Sequence, residues 1–192
     1  STLVLRPGGE LFEVMPDDVL QLVSGSEART VRGYVDSLRK AKIDERITAV
    51  LLAPRPLSSP FWGKVQELHE ALLDFKTSGK PVYAFLEYGG DREYYLATAA
   101  DKVFLVPTAT LDLTGVATYE VFLRGTLDWI GTYPDLMHIG DYKTAINVFK
   151  EKSFTPAHRE MSASLNQDQF DQLVRAIANG RRKSEAEVRA AI

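Results

Sequence analysis

The sequence contains no cysteine. Thiol catalysis, disulfide bonds and Cys-ligated zinc or iron–sulfur centres are therefore excluded. The redox compartment stays open, because a chain without thiols suits either kind. Long hydrophobic runs are also missing. The longest stretch without Asp, Glu, Lys or Arg covers residues 103–111, far short of the roughly 18 a membrane-spanning helix needs. Nor is there a strong charge of one sign. The 23 Lys and Arg against 26 Asp and Glu leave a net −3, too mild for a bulk grip on nucleic acid or anionic lipid, and no nucleic-acid partner is expected. No G-x-G-x-x-G and no Walker loop occur, so the common phosphate cradles are absent. The three histidines, His69, His138 and His158, lack His-x-x-x-His or Glu-x-x-His spacing. Structural or surface roles are their default, and neither a metal nor a cofactor is expected.

What is present is ordinary globular usage over 192 residues, 45% hydrophobic and 26% charged, enough for one domain, with or without appended helices. Short β-rich runs alternate with amphipathic segments. Strands are predicted over 2–5, 47–53, 82–86, 103–106 and 136–139. The 47–53 run is continuously apolar, as in a strand buried on both faces. Helices are predicted over 30–42, where Val31, Tyr34, Val35, Leu38 and Ala41 recur at helical spacing, then around 65–75, over 93–100 and over 121–130. A long helix opens at Thr155-Pro156 with an N-cap and a first-turn proline, and Gly180 is its expected C-cap. Residues 10–28 show no clear period. The order β-α-β-α-β-α-β-α-β-α points to an α/β domain with a mainly parallel sheet flanked by helices. Ser184-Glu185-Ala186-Glu187 has capping-box form, yet its helix reaches Ile192 after about two turns. The chain thus reads as a piece of a longer one, with residues 184–192 starting a truncated helix.

Several groups invite a chemical reading. Gly89-Gly90-Asp91 follows a strand and precedes a helix, as a binding loop or a plain tight turn would. Asp17-Asp18 and Asp168 with Asp171 are carboxylate pairs, more in keeping with solvated faces than with an acid/base couple. Tyr94-Tyr95 and Phe61-Trp62 suit either ligand stacking or core packing. The most informative segment is Ile139-Gly140-Asp141-Tyr142-Lys143-Thr144-Ala145. A lysine here is either a surface residue or one held at the carboxyl end of a strand, where α/β sheets place their sites. A lysine at the positive end of a helix and out of water has its ammonium form disfavoured, which is what a general base requires.

These pieces resemble a known family. Ile47-Thr48-Ala49-Val50-Leu51-Leu52, Ser78-Gly79-Lys80-Pro81-Val82-Tyr83-Ala84 and Glu93-Tyr94-Tyr95-Leu96-Ala97-Thr98-Ala99-Ala100-Asp101-Lys102-Val103 come first. Leu111-Asp112-Leu113-Thr114-Gly115-Val116-Ala117, Gly140-Asp141-Tyr142-Lys143-Thr144-Ala145 and Phe154-Thr155-Pro156-Ala157-His158-Arg159-Glu160 follow in order. From about Tyr34 onward the chain resembles the amino-terminal half of the signal peptide peptidase A family, membrane-anchored bacterial serine proteases with a Ser/Lys dyad. The resemblance implies a single ClpP/crotonase-like domain over 1–192, with Lys143 as the general base. It places the serine on a carboxyl-terminal half of the same protein, as the duplicated members do. Where that half carries Ser-Gly-Gly before two aromatics, this chain has Asp91-Arg92-Glu93-Tyr94-Tyr95. Its oxyanion turn, Ser-Pro-Gly-Gly, corresponds to Ala53-Pro54-Arg55-Pro56, whose prolines have no N–H to offer. The resemblance further implies peptide substrates, among them released signal peptides, and a homo-oligomer. It also implies a membrane anchor outside this stretch and a place on the extracytoplasmic (periplasmic) side of the cell membrane. The alternative is a crotonase-like scaffold without catalysis, serving oligomer assembly or peptide binding. A third, weaker possibility is acyl-CoA hydratase-type chemistry, which also needs paired backbone donors.

Overall fold

The computed structural model describes residues 1–14, 30–58 and 62–192. Asp17-Asp18, Phe61 and residues 15–28 of the segment without clear period lie outside the described residues. The chain divides into two compact units, Ser1–Thr114 with Leu173–Ile192, and Gly115–Gln172.

The first unit is built on parallel strands. In chain order they are β1 (Thr2–Leu5), β2 (Ala49–Leu52), β3 (Val82–Leu86), β4 (Gly89–Gly90), β5 (Lys102–Leu105) and β6 (Leu111–Asp112). β1, β2, β3 and β5 lie side by side in that order, and β4 pairs with β6 in a second small ladder. Every pairing is parallel, with Leu5 beside Leu52, Leu52 beside Ala84 and Ala84 beside Val103. Parallel neighbours need a crossover. α1 (Val31–Ile43) links β1 to β2, α2 (Trp62–Lys76) links β2 to β3, and α3 (Asp91–Ala97) links β4 to β5. The expected α/β class with a mainly parallel sheet flanked by helices is what the chain forms.

Local chemistry explains the elements. Thr30 caps α1, its Oγ1 accepting the Gly33 N–H at 3.0 Å, and the helix buries Val31, Tyr34, Val35, Leu38 and Ala41, the stripe read from the sequence. α2 buries Val65, Leu68, Leu72 and Phe75. Each such side chain withdrawn from water contributes about 1.5–3 kcal/mol. β2 is shorter than the predicted 47–53 run. The Ile47 N–H turns back to Asp44 O, and beyond Ala53 a proline ends the ladder. Val50 and Leu52 are fully buried but Leu51 only half, so one face of this strand is drier than the other.

α6 (Pro156–Arg181) begins as predicted, with the His158 N–H donated to Thr155 Oγ1 at 3.2 Å. Its end differs from the expectation. Gly180 stays helical, and a Cβ there would run into the carbonyl of Thr98. The glycine serves close packing rather than capping. The left-handed residue that closes the helix is Arg182, at φ +53°, with the Lys183 N–H donated to Ala178 O at 3.0 Å. That six-to-one bond marks a Schellman end, where glycine is the usual occupant. A side-chain-bearing residue there costs about 1–2 kcal/mol. α7 (Glu185–Ala191) carries the capping box read from Ser184 and Glu187.

The second unit is helical. It holds α4 (Arg124–Trp129), a 3₁₀ turn at Thr144–Ile146, α5 (Asn147–Lys150) and the start of α6. α4 begins later than the predicted 121–130, with Leu123 as its N-cap accepting the Leu127 N–H at 2.9 Å, while its own N–H is donated to Val148 O at 2.6 Å. Arg124, buried, ties the unit together through Asp128 Oδ1 and the Thr132 carbonyl, both at 2.8 Å. The predicted strand over 136–139 does not form. Among the described residues this unit contains no strand to ladder with, and Met137 and Ile139 stand in solvent. An apolar run without a pairing neighbour has nowhere to place its backbone hydrogen bonds as a sheet. No helix among the described residues is long and apolar enough to cross a membrane.

Candidate active site around Lys143

Lys143 lies in the second unit, just ahead of the 3₁₀ turn. Gly140, at φ +82°, reverses the chain, and the Lys143 N–H is donated to Gly140 O at 3.3 Å. This left-handed turn is why a glycine stands three residues before the lysine. The lysine is exposed. It is not, as the sequence suggested, at the end of a strand. It lines an open groove of about 590 Å³ together with Met137, Ile139, Tyr142, Thr144 and Ile146. Met137 is 94% exposed, Ile139 92% and Tyr142 58%. The amine therefore sits on an apolar surface that nothing in this unit covers.

The residues on either side of the lysine are held by two successive residues of α6. The Tyr142 hydroxyl donates to Glu160 Oε2 at 2.9 Å, and the Thr144 hydroxyl lies 3.7 Å from Met161 Sδ. The hydrogen bond to Glu160 and the charge of its carboxylate hold the Tyr142 phenol above its ordinary pKa. Below the turn, buried Asn147 places Nδ2 3.5 Å from His158 Nδ1. His158 Nε2 lies 3.7 Å from Glu120 Oε1, and the ring packs against Phe154 and Phe122. Sequence inspection did not find Met161 or Asn147, and it gave Glu160 no role beyond its place in the Phe154-to-Glu160 piece. Their link to Lys143 runs through space between a loop and a helix, and no local spacing encodes it.

In the first unit, the place where the resemblance puts a serine belongs to Asp91, the first residue of α3. Its Oδ2 accepts the Thr114 hydroxyl at 3.5 Å. The turn over 53–58 has no free amide to give. Pro54 and Pro56 have none. The N–H groups of Ala53, Arg55 and Ser58 are donated to Leu5, Pro7 and Gly9 carbonyls, and that of Leu57 goes to Glu93 Oε1 at 2.6 Å. An oxyanion hole needs unused donors aimed at one point, and this turn offers none.

The model of peptidase family S49 matches residues 74–191. The chain belongs to that family. It is 33% identical over 150 residues to the chloroplastic serine protease SPPA of Arabidopsis thaliana, covering 77% of this chain and 22% of that protein. To Protease 4 of Salmonella typhi it is 33% identical over 126 residues, covering 66% and 20%. The S49 chain thus spans about a fifth of the length of these curated relatives. Among solved structures, it is similar to an enoyl-CoA hydratase/isomerase family protein from Silicibacter pomeroyi, at 17% identity and a TM-score of 0.32, covering 79% of this chain and 78% of that one. An enoyl-CoA hydratase from Mycobacterium avium subsp. paratuberculosis K-10 is 16% identical with a TM-score of 0.36, covering 84% and 74%.

The remaining candidates in the S49 chain are structural. His69 is buried, and its Nε2 lies 2.9 Å from Thr98 Oγ1. Since that hydroxyl donates to Tyr95 O at 2.6 Å, it accepts from the imidazole, which fixes the proton on Nε2. Tyr95 packs its ring 4.8 Å from Trp62 and 4.5 Å from His69, and the Tyr94 hydroxyl accepts from Arg181 Nε at 3.1 Å. Tyr95 belongs to the core, while Trp62 and Tyr94 are half-buried. Asp168 and Asp171 each accept from a glutamine one helical turn away, Gln172 and Gln167. Gly89 and Gly90 form β4 and lead into α3. Among the described residues, no group of three or more His, Asp or Glu is placed to hold a metal ion.

Proposed function

We propose that this chain is the amino-terminal part of a Ser/Lys serine protease and supplies Lys143 as the general base to a serine on a carboxyl-terminal half. The observation that carries the proposal is a pairing of surplus and lack. An exposed amine lines an uncovered apolar groove, while the first unit has an aspartate in place of the serine and no spare amides in its turn.

The chemistry follows from the amine. A lysine at its reference pKa of about 10.4 is neutral in only about one molecule in 2,500 at pH 7. Covering an amine with a partner's apolar surface disfavours the charged form and raises that fraction. The neutral amine then takes the serine proton as the hydroxyl oxygen attacks the scissile carbonyl. It returns that proton to the leaving peptide nitrogen, and an acyl-enzyme remains. Water, deprotonated by the same amine, hydrolyses the ester. Peptides, including released signal peptides, are the substrates proposed. A homo-oligomer anchored on the extracytoplasmic (periplasmic) side of the cell membrane is the proposed setting, with the anchor outside this stretch.

The test is Lys143→Ala in the complete protein. Peptidase turnover should fall by about 10²–10⁴-fold, the range for losing a general base, with assembly unchanged by sedimentation. The isolated chain should cleave no peptide and take no label from a serine-directed fluorophosphonate. Undiminished turnover in Lys143→Ala would instead favour the second reading, a non-catalytic scaffold, for which the solvent-facing lysine and the aspartate at position 91 speak.

A further inference from the structure

A second cavity, of about 660 Å³, opens in the first unit where α6 ends, and its wall includes Lys76, Thr98, Asp101, Asn179, Arg181 and Arg182. Its charges do not balance. Lys76 is matched by Asp101 at 2.9 Å, and that carboxylate also accepts the Val82 N–H at 2.8 Å. Arg181 bonds only neutral acceptors, the Tyr94 hydroxyl and the carbonyls of Ala97 and Gly180. Among the described residues neither Arg181 nor Arg182 has a carboxylate partner. His69 also borders the cavity, but burial holds its pKa at about 4, so it is neutral near pH 7. Among the described residues, the guanidinium charges of half-buried Arg181 and exposed Arg182 are left without a counter-charge.

Arg182 adds an independent sign. Basic residues at a helix C-terminus complement the helix dipole wherever they sit in the last turn. That effect does not call for an arginine at the left-handed closing position, φ +53°, where glycine is the favoured residue. An arginine carried in this unfavourable backbone state points to use of its side chain.

We propose that this cavity binds a phosphate-type dianion between the guanidinium groups of Arg181 and Arg182. The charge match decides the class. A phosphate group carries about −1.5 to −2 near neutral pH, and guanidinium forks engage its oxygens in pairs. The site belongs to the first unit and does not depend on the role of Lys143.

The experiment titrates the chain at constant ionic strength with inorganic phosphate, following amide shifts by NMR and the thermal midpoint, with acetate as the control anion. A parallel arm measures co-sedimentation with phosphatidic acid vesicles, whose headgroup is a phosphate monoester, against phosphatidylcholine vesicles. Arg182→Gly should weaken phosphate binding at least tenfold, while its midpoint without phosphate matches or exceeds the wild type, because glycine relieves the left-handed backbone. Arg182→Lys keeps charge without the fork and should fall between. A response to inorganic phosphate identifies a free anion, and an Arg182-dependent response to phosphatidic acid alone identifies a lipid headgroup. Either supports the site. No response in both arms, equal responses to acetate and phosphate, or binding undiminished in Arg182→Gly overturns it.

Discussion

Glu93 Oε1 lies 2.6 Å from the backbone nitrogen of Leu57, joining the start of α3 to the turn after β2. Its second oxygen accepts the Gly90 N–H at 3.1 Å. With only 4% of the residue exposed, this carboxylate is a buried anion satisfied by two amides from different segments. It takes up the Leu57 amide of the turn after β2.

That geometry predicts the cost of Glu93→Gln. The two amides use different oxygens, and a glutamine has only one acceptor oxygen. One N–H would face an NH₂ group and lose its partner inside the fold. Bonds to a charged acceptor contribute about 1.5–3 kcal/mol each, so a loss of about 2 kcal/mol is expected in urea unfolding. A midpoint equal to the wild type would mean that the amides find other acceptors.

The pH dependence of stability should carry the mark of His69. Burial pushes its pKa down to about 4, against about 6.5 for an unfolded histidine. Between these values the unfolded chain binds the proton and the folded chain does not. The contribution is therefore complete above pH 6.5 and is lost as pH falls through 4, with an upper bound of about 3 kcal/mol. The difference in unfolding free energy between wild type and His69→Gln, measured from pH 7 to 4, should shrink toward acid. A flat difference would place the imidazole in water.

Two glycines make opposite predictions from one substitution. Alanine normally favours a helix over glycine by up to about 1 kcal/mol. At Gly125, in α4, a Cβ meets nothing within 4 Å, so Gly125→Ala should stabilise by a few tenths to about 1 kcal/mol. At Gly180 the Cβ would strike the Thr98 carbonyl and the Thr98 Cβ. Overpacking against backbone costs about 1–3 kcal/mol, so Gly180→Ala should lower the thermal midpoint. If both variants moved the same way, the close approach of α6 to Thr98 would be wrong.

Gly180 also marks the boundary of what sequence conveys. Helical spacing and the Thr155 cap were legible because they rest on neighbours three or four residues apart. The parallel sheet was legible from its alternation of runs. A glycine near a helix end reads as a cap, and only the tertiary approach of Thr98 shows that packing has claimed it, leaving the closing turn to Arg182. Residues 136–139 fail for a similar reason. Their composition suits a strand, but a strand also needs a partner, and this unit provides none among the described residues. The lysine was picked out by its motif. Its exposure and the hold of Glu160 and Met161 on its neighbours depend on a helix that follows in sequence and packs back.

The last prediction concerns that hold. The bond from Tyr142 to Glu160 is on the surface, so Tyr142→Phe should leave the urea midpoint of the chain close to that of the wild type. Its titration should be distinctive. The bond and the nearby carboxylate hold the phenol above its ordinary pKa, so the neutral form is favoured in the folded state. The stabilisation it brings is present below about pH 10 and disappears as pH rises through the raised value. In a 295 nm titration, Glu160→Gln should bring one phenol back to lower pH, and Tyr142→Phe should remove that phenol altogether. In the complete protein, and resting on the proposed role of Lys143, Tyr142→Phe should lower kcat several-fold with KM unchanged, because the lysine turn loses one of its two fixings. An altered KM with constant kcat would assign Tyr142 to substrate contact, and no change in either would leave the turn held by Thr144 and Met161 alone.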